Sequence, residues 1–340
     1  MKPILVTLTS KIFILFIAIL ILIIFMFLSM AIGQYHTDLT SIFDAIFHYD
    51  SSNTDHLIII GARLSRTLIS IIVGGSLALA GSLMQALTRN PLASPSLFGV
   101  NAGALFFVVC ATIINPAISL TSLIFIAFIG AIIASILVFV LSSTGGNKLS
   151  PMKLVLSGTA ISALFVSFTQ GFLVVDEQSL EGVLFWIGGS VSGRDIQNVK
   201  SIIPIVVIAA FISFIMSHSI NLLLTGDDIA KGLGQNVVLI KVIMGILIII
   251  LAGSSVATAG SIGFIGLIVP HIVKKVVGLN YRWIVPYSII FGGILLILAD
   301  LIARVVVIPE EMPIGIVTAI IGAPFFIILI RNGGNSVEKH

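Results

Sequence analysis

Residues 58–86 read IIIGARLSRTLISIIVGGSLALAGSLMQA, an uncharged run interrupted by two cations, Arg63 and Arg66. A helix needs about 20 mostly apolar residues to cross a bilayer. Inside the hydrocarbon no water is available for a bare backbone group, so such a segment must satisfy its own N–H and C=O groups by coiling. On this reading 58–86 is a membrane span. Blocks of the same kind lie at 12–33, 95–113, 117–142, 152–175, 199–219, 239–257, 261–278, 283–306 and 313–331. Composition agrees, since 58% of the 340 residues are hydrophobic and 9% are charged, against about a quarter charged in a soluble domain. A water-soluble fold is excluded. The expectation is an all-α polytopic membrane protein, with about ten transmembrane helices forming a single domain over 1–340.

The first block resembles a secretory signal in one respect: Lys2 and Lys11 precede an apolar run closed by small residues near Ser29, Ala31 and Gly33. Its core is about 20 residues long, however, whereas a signal core has about 7 to 15. It is read as a retained span. Cys110 is the single cysteine, inside the third block, and is read as packing. With both termini placed in the cytoplasm, Lys2, Lys11, Arg89, Lys148, Lys153, Lys231, Lys241, Lys274, Lys275, Arg282, Arg331 and Lys339 fall on that side, twelve of the seventeen cations. Eleven of the fourteen acids fall on the other side. The cation bias is what the positive-inside rule requires of an even number of spans.

Three loops are long: 34–57 and 176–198 outside, and 220–238 inside. Segment 34–57 is acidic, lacks Lys and Arg, and is expected to be a solvated connection. Its His36, His48 and His56 lie among aspartates, but their spacing matches no metal-ligand pattern. Leu77-Ala-Leu-Ala-Gly-Ser82 resembles Val256-Ala-Thr-Ala-Gly-Ser261, and both lead into a Pro-containing stretch. The two would run in opposite directions, as in the inverted repeats of transporters.

Four constellations carry chemistry. Arg63 and Arg66 are three apart at the external, N-terminal end of the second span, where cations oppose the helix dipole by roughly 0.3 to 1 kcal/mol each. Either they anchor the helix at the headgroups, or an anionic partner meets them. Asp300 and Arg304 are four apart near the external end of the ninth span and within reach of each other. Gln85, Asn90 and Pro91 precede Pro95 in a stretch where proline breaks the helix. Polar groups beside broken backbone at membrane depth need protein or a cavity around them, which points to a re-entrant or tightly packed element near a pathway. Thr225-Gly226-Asp227-Asp228 followed by Gly232 and Gly234 reads as a short capped helix outside the bilayer. So short a helix needs a docking surface, which suggests a cytoplasmic partner.

These stretches, in order, resemble the permease subunit of the iron-siderophore, haem and vitamin B12 ABC importers, the FecCD-type family. The resemblance is carried by Arg63-Leu-Ser-Arg66, Ala80-Gly81 to Gln85, Asn90-Pro-Leu-Ala-Ser-Pro95 and Gly99 to Ala104. It continues through Trp186-Ile-Gly-Gly-Ser190, Gly226 to Gly234, Gly263-Phe-Ile-Gly-Leu-Ile-Val-Pro-His271, Ala299-Asp-Leu-Ile-Ala-Arg304, Glu311-Met-Pro-Ile-Gly315 and Gly322-Ala-Pro-Phe325. It covers about residues 58–331. Ser65 stands where Pro is usual, and Lys274 where Arg is common.

The resemblance implies a type II permease that dimerises with an identical or paralogous permease. It implies docking of an extracytoplasmic substrate-binding protein through Arg63, Arg66 and Arg304, with Asp300 holding Arg304 in place. It also implies two cytoplasmic ATP-binding subunits, engaged through a coupling segment containing Gly226, Asp227, Asp228, Ala230, Lys231, Leu233 and Gly234. By the same analogy Ser157, Gly158, Thr159 and Gly322, with Gln85, Asn90 and Pro91, belong to the pathway or to a re-entrant element beside it. No G-x-x-x-x-G-K-[ST] phosphate loop occurs, so hydrolysis is expected of another subunit. No cofactor, metal or nucleic acid is expected, and the chain is read as a transport subunit rather than an enzyme. The expected cargo is a ferric siderophore, with haem or cobalamin as alternatives. An ion-coupled secondary transporter is the competing class, and it would more often place an ionisable residue near the middle of a span.

Overall fold

The computed structural model describes residues 3–5, 7–33, 38–144, 151–175, 186–307 and 310–334, and these are helical throughout their ordered elements, with no strand among them. Helix α1 (Leu8–Ala31) is capped by Thr7, whose hydroxyl accepts from the Ser10 N–H at 3.2 Å. Only Ala18, Ser29 and Met30 of α1 are buried, so its Ile, Leu and Phe side chains face outward, as a lipid-facing helix requires. The opposite extreme is α3 (Thr54–Thr88), of which 83% of the apolar window is buried inside the bundle. It is the axis around which the other helices pack.

Small residues make that packing possible. Helices in lipid gain little from the hydrophobic effect, and close backbone approach at Gly and Ala supplies the contact instead. Along α3, a Cβ added at Gly74 would lie 2.3 Å from the Gly292 carbonyl oxygen of α12 (Tyr281–Val305), and one at Gly81 would lie 1.9 Å from that of Gly266. Buried hydroxyls add cross-links: Ser82 and Ser288 share a hydrogen bond at 2.8 Å, and the Tyr281 hydroxyl donates to the Ser82 carbonyl at 2.7 Å.

The remaining elements follow in order. Helix α4 (Val100–Ile114) comes after a 3₁₀ turn at Pro95–Phe98, and α5 (Leu120–Ser143) and α6 (Pro151–Val175) complete the first half. Helices α7 (Ile203–Ile215) and α8 (Ser217–Leu224) form one element bent by 54°. A short helix α9 (Asp227–Gly232) leads to α10 (Val237–Ala259), α11 (Ile265–Val277), α12 and α13 (Ile314–Gly334). Each of the ten expected spans has a helical counterpart.

Not all of them cross alone. Six helices are long and apolar enough, or seven with the bent pair. Helices α4 and α11 have 15 and 13 residues, about 22 and 20 Å at 1.5 Å per residue, short of a hydrocarbon core of about 30 Å. Their missing length is irregular backbone. Before α11 the chain runs non-helically from Gly260 (φ +74°) to Phe264 (φ +66°). That backbone is tied to protein: Ser261 donates to the Trp186 carbonyl at 2.9 Å and Ser190 to the Ala259 carbonyl at 2.8 Å. Irregular backbone at depth survives where protein satisfies it.

These breaks expose the repeat. The order long helix, break, short helix, two longer helices occurs in α3–α6 and again in α10–α13. In each half a glycine of the fourth helix lies against the break: a Cβ at Gly158 would meet the Leu97 oxygen at 1.9 Å, and one at Gly322 would meet the Phe264 ring at 2.2 Å. Helix α3 and α10 run in opposite senses, so the halves are inverted. The two short sequences that suggested the repeat differ locally, because 77–82 lies in mid-helix whereas 256–261 contains a helix end.

The loop expected at 34–57 is more structured than the sequence suggested. It contains helix α2 (Leu39–Phe47) and the first turn of α3. Ile42 and Ala45 of α2 pack on Met30 and Ile59, an amphipathic contact concealed by the acidic composition. His56 is buried there, accepting from the Asp50 N–H at 3.1 Å and lying 3.4 Å from Asp44. His36 lies outside the described residues, as does the first part of the expected 176–198 loop, 176–185.

Gly81→Ala is expected to prevent close packing of α3 on α11, at a cost of about 1 to 3 kcal/mol or more from overpacking. A thermal-unfolding scan in detergent measures this. Gly245→Ala in α10, where a Cβ meets nothing within 4 Å, is expected to be neutral or to stabilise by up to about 1 kcal/mol.

Candidate functional site

Arg63 and Arg66 do not open their helix. Helix α3 starts at Thr54 and passes through a π-helical stretch, Ile58–Leu64, before resuming α geometry at Ser65. Both arginines therefore lie beyond the first turns, where the helix dipole no longer acts. The electrostatic mismatch inferred from the sequence is absent, and neighbouring elements explain the two residues instead.

Arg63 is 6% exposed and donates to the carbonyls of Met30 and Ala31 at 2.7 and 3.1 Å. Arg304, 4% exposed, donates to the carbonyls of Ser29 and Ile32 at 2.8 and 3.0 Å and to the Ser29 hydroxyl at 3.0 Å. The last carbonyls of any helix lack internal partners, and in α1 two guanidiniums from other helices supply them. Arg304 thus serves the C-terminus of α1 as well as pairing with Asp300. Gly33 leaves the space, since a Cβ there would come within 2.8 Å of Arg63 Nη2.

Arg66 turns the other way. Its Nε and Nη2 both donate to Asp300 Oδ1, at 2.9 and 2.7 Å. Its Nη1 donates to both oxygens of Glu311, at 2.9 and 2.8 Å, and to the Ser192 hydroxyl at 3.3 Å. Asp300 is fully buried and also accepts from Arg304 Nη2. One carboxylate therefore joins two guanidiniums, and a second carboxylate covers the outer edge of Arg66. Glu311 was quoted in the sequence only as part of a longer motif, because a residue in a loop carries no periodicity to mark it. Burial pushes the Glu311 pKa upward, but the Ser192 hydrogen bond and the charge of Arg66 outweigh this and hold it below its ordinary value.

Arg63, Arg66, Arg304, Glu311 and Ser192 line one cavity of about 500 Å³. A fourth arginine joins them. Arg194, on the loop before α7, lines the same cavity and stacks over the Trp186 ring, 5.4 Å from its centroid.

At the opposite end of α3, Arg89 caps the helix in the left-handed conformation (φ +50°). Its Nη2 donates to the Leu223 carbonyl at 2.7 Å and to Asp227 Oδ1 at 2.6 Å, while Lys241 of α10 holds the other oxygen of Asp227 at 2.6 Å. Helix α9 is thereby pinned between α3 and α10. Gly226, at φ +126°, makes the turn into it, and Thr225 bonds back to Leu222 rather than capping α9. Ala230 is buried; Asp228, Lys231, Gly234, Ile229 (56%) and Leu233 (66%) are exposed. The segment therefore offers an apolar pair to a partner, and Ile229 belongs with Leu233 although the sequence reading passed over it. Burial raises the Asp227 pKa, but Lys241 first and then Arg89 overcome it and leave it below its ordinary value.

The positions grouped around a pathway are scattered. Gln85 is buried and accepts from Lys274 Nζ at 2.6 Å. Asn90 and Pro91 are exposed in the turn that follows Arg89, where the Asn90 side chain accepts from the Leu92 N–H at 2.9 Å. That turn follows the C-terminus of α3, beside the α9 clasp. Ser157 is buried, Thr159 is exposed and bonded to the Leu156 carbonyl, and Gly158 and Gly322 pack on the two breaks. An internal cleft of about 260 Å³ is lined instead by Asn101, Ser162, Val166, Trp186, Val256 and Ser261, among others. Asn101 donates to the Ser261 hydroxyl across it at 2.9 Å. Single hydroxyls and amides in apolar helices gave no sequence signal for this group.

The FecCD transport family matches residues 21–332. The probable siderophore transport system permease protein YfiZ of Bacillus subtilis (strain 168) is 45% identical over 305 residues, 90% of this chain and 91% of that protein. The Fe(3+)-citrate import system permease protein YfmD of the same organism is 46% identical over 327 residues, 96% of this chain and 97% of that one. A solved ABC transporter in an inward-facing conformation, assigned to the metal-chelate type, superposes with a TM-score of 0.83 at 30% identity, covering 94% of this chain and 99% of that chain.

Asp300→Asn is expected to destabilise the fold by about 3 to 5 kcal/mol, because it leaves two buried guanidiniums without their shared counter-charge; chemical denaturation of the purified protein reads this out. For Asp227 the sign follows from its lowered pKa. Its contribution is present above the ordinary carboxylate value of about 3.9 and lost as pH falls through the lower folded value. Amide exchange in 226–234 should stay slow from neutral pH down to about pH 4, whereas Asp227→Asn should accelerate it already at neutral pH.

Proposed function

This chain belongs to the FecCD transport family, and from that premise we propose that it is a permease subunit carrying an iron-siderophore complex through the membrane. Like the permeases to which it is similar, it works within an ABC importer. A second permease subunit completes the pathway, an extracytoplasmic substrate-binding protein delivers the cargo, and two cytoplasmic ATP-binding subunits supply the work. Both termini lie in the cytoplasm, the side to which the count of Lys and Arg assigns them.

One observation carries the mechanism. Helix α3 holds Arg66 in the guanidinium-lined mouth and Arg89 against Asp227 of α9. The 22 residue steps from Arg66 to Thr88, the last of the helix, span about 33 Å. Docking of acidic side chains at Arg63, Arg66 and Arg304 therefore acts on the same rigid element that anchors the coupling segment. In the other direction, closure of the ATP-binding subunits pulls on Ile229 and Leu233, and α9 transmits the movement to α3 and α10 through the Asp227 clasp. The breaks before α4 and α11 provide places where the halves can shift. The chain contributes walls, docking charges and a lever, and makes or breaks no covalent bond. The substrate class rests on the relatives named for siderophore and ferric-citrate import.

The test is reconstitution of the full complex in vesicles with its binding protein loaded with ferric siderophore. The expected result is uptake that depends on ATP and on the binding protein. Uptake by this polypeptide alone, driven by a sodium or proton gradient, would overturn the proposal.

A further inference from the structure

The four arginines of the mouth differ in how their charge is met. Arg66 has Asp300 and Glu311, Arg304 has Asp300 and oxygens of α1, and Arg63 has carbonyls of α1. Arg194 has no such partner among the described residues. Its Nη1 is buried and makes no hydrogen bond. The adjacent acid, Asp195, is engaged elsewhere, its Oδ1 accepting from the Gln197 N–H at 2.9 Å as the cap of a one-turn helix. Burial alone moves the Arg194 pKa, and it moves it downward, as expected of a cation without a counter-ion.

A buried donor left unsatisfied costs about 1 to 3 kcal/mol, more when it is charged. The Trp186 stack recovers part of that, about 0.5 to 2 kcal/mol, but it cannot satisfy the in-plane N–H groups. The plane of a guanidinium presents a fork that suits a carboxylate. Arg194 also differs from its neighbours in tethering: it sits on a loop, held by a ring stack and by its Gly193 turn (φ +66°), whereas the others are fastened to two helices at once.

We propose that Arg194 is a fourth docking residue of the mouth, receiving a carboxylate from an acidic side chain of the delivery protein. The inference rests on the docking reading above and extends it. Because Arg66 and Arg304 are already neutralised by Asp300 and Glu311, an incoming acid must compete for them. At Arg194 it meets no competitor among the described residues. Arg194 therefore makes the first charged contact, and the three paired arginines define the register that follows.

The experiment measures capture of the system's own extracytoplasmic binding protein, chelate-free and chelate-loaded, by the permease–ATPase complex in nanodiscs. Arg194→Gln is expected to weaken capture of both forms by about tenfold or more, as the loss of a charge-assisted hydrogen bond implies, and to reduce the salt sensitivity of binding. Arg194→Lys, which keeps the charge, is expected to retain most of the affinity, a rescue that a purely packing role would not give. Should Arg194→Gln disturb assembly, Arg194→Met keeps the Trp186 contact and serves in its place. Unchanged capture by these variants would overturn the proposal. So would weakened capture of the loaded form alone, which would assign Arg194 to an anionic chelate instead. If the wild-type complex captures neither form, the docking reading itself falls and this inference with it.

Discussion

A single buried carboxylate organises one end of this protein. Asp300, without solvent exposure, is shared by Arg66 of α3 and Arg304 of its own helix. Neither guanidinium could be buried there alone, because an uncompensated charge in such surroundings costs several kcal/mol. With Asp300 between them, both are free to turn their remaining N–H groups to other work. Arg304 closes the open carbonyls of α1, and Arg66 reaches out to Glu311 at the rim. The mouth thus pairs Arg66 and Arg304 with acids while its outer layer stays open to exchange of partners, which suits the docking proposed for it.

The same economy governs the irregular backbone. Two half-length helices, α4 and α11, fit a membrane-spanning bundle only because the chain around them satisfies the polar groups of the breaks that precede them. At 260–264 the loop beginning at Trp186 performs that task. At Gly158 and Gly322 the absence of a side chain lets a neighbouring carbonyl or ring close over the break. Movement of the halves can concentrate at such points, because each is held by a few bonds rather than by a continuous helical ladder, while α3 between them remains stiff.

The sequence displayed the spans well, because twenty apolar residues in a row have few meanings. It also displayed the inverted repeat, Asp300 beside Arg304, and a short helix near Asp227. What stayed hidden was contact at long range. Nothing local reveals that Arg63 and Arg304 serve α1, that Glu311 covers Arg66 across 245 positions, or that Arg89 grips α9 across 138. The composition misled at two places. An acidic, charge-rich stretch suggested a loop where α2 packs on α1 and α3, and the expected start of the second span missed the π-helical turn that carries the arginines inward. The pathway group suffered from a different ambiguity, since a glycine in a membrane helix reads equally as a wall or as a packing contact. Here Gly158 and Gly322 are packing contacts.

The central claim is that the guanidinium mouth and helix α9 are linked mechanically through α3. Hydrogen exchange on the assembled complex, with and without the loaded binding protein and at fixed nucleotide, tests it most directly. The expected result is a change in exchange at 225–236 that accompanies the change at the mouth, around 29–33 and 186–195. A change confined to the mouth, with 225–236 unaltered, would contradict the account.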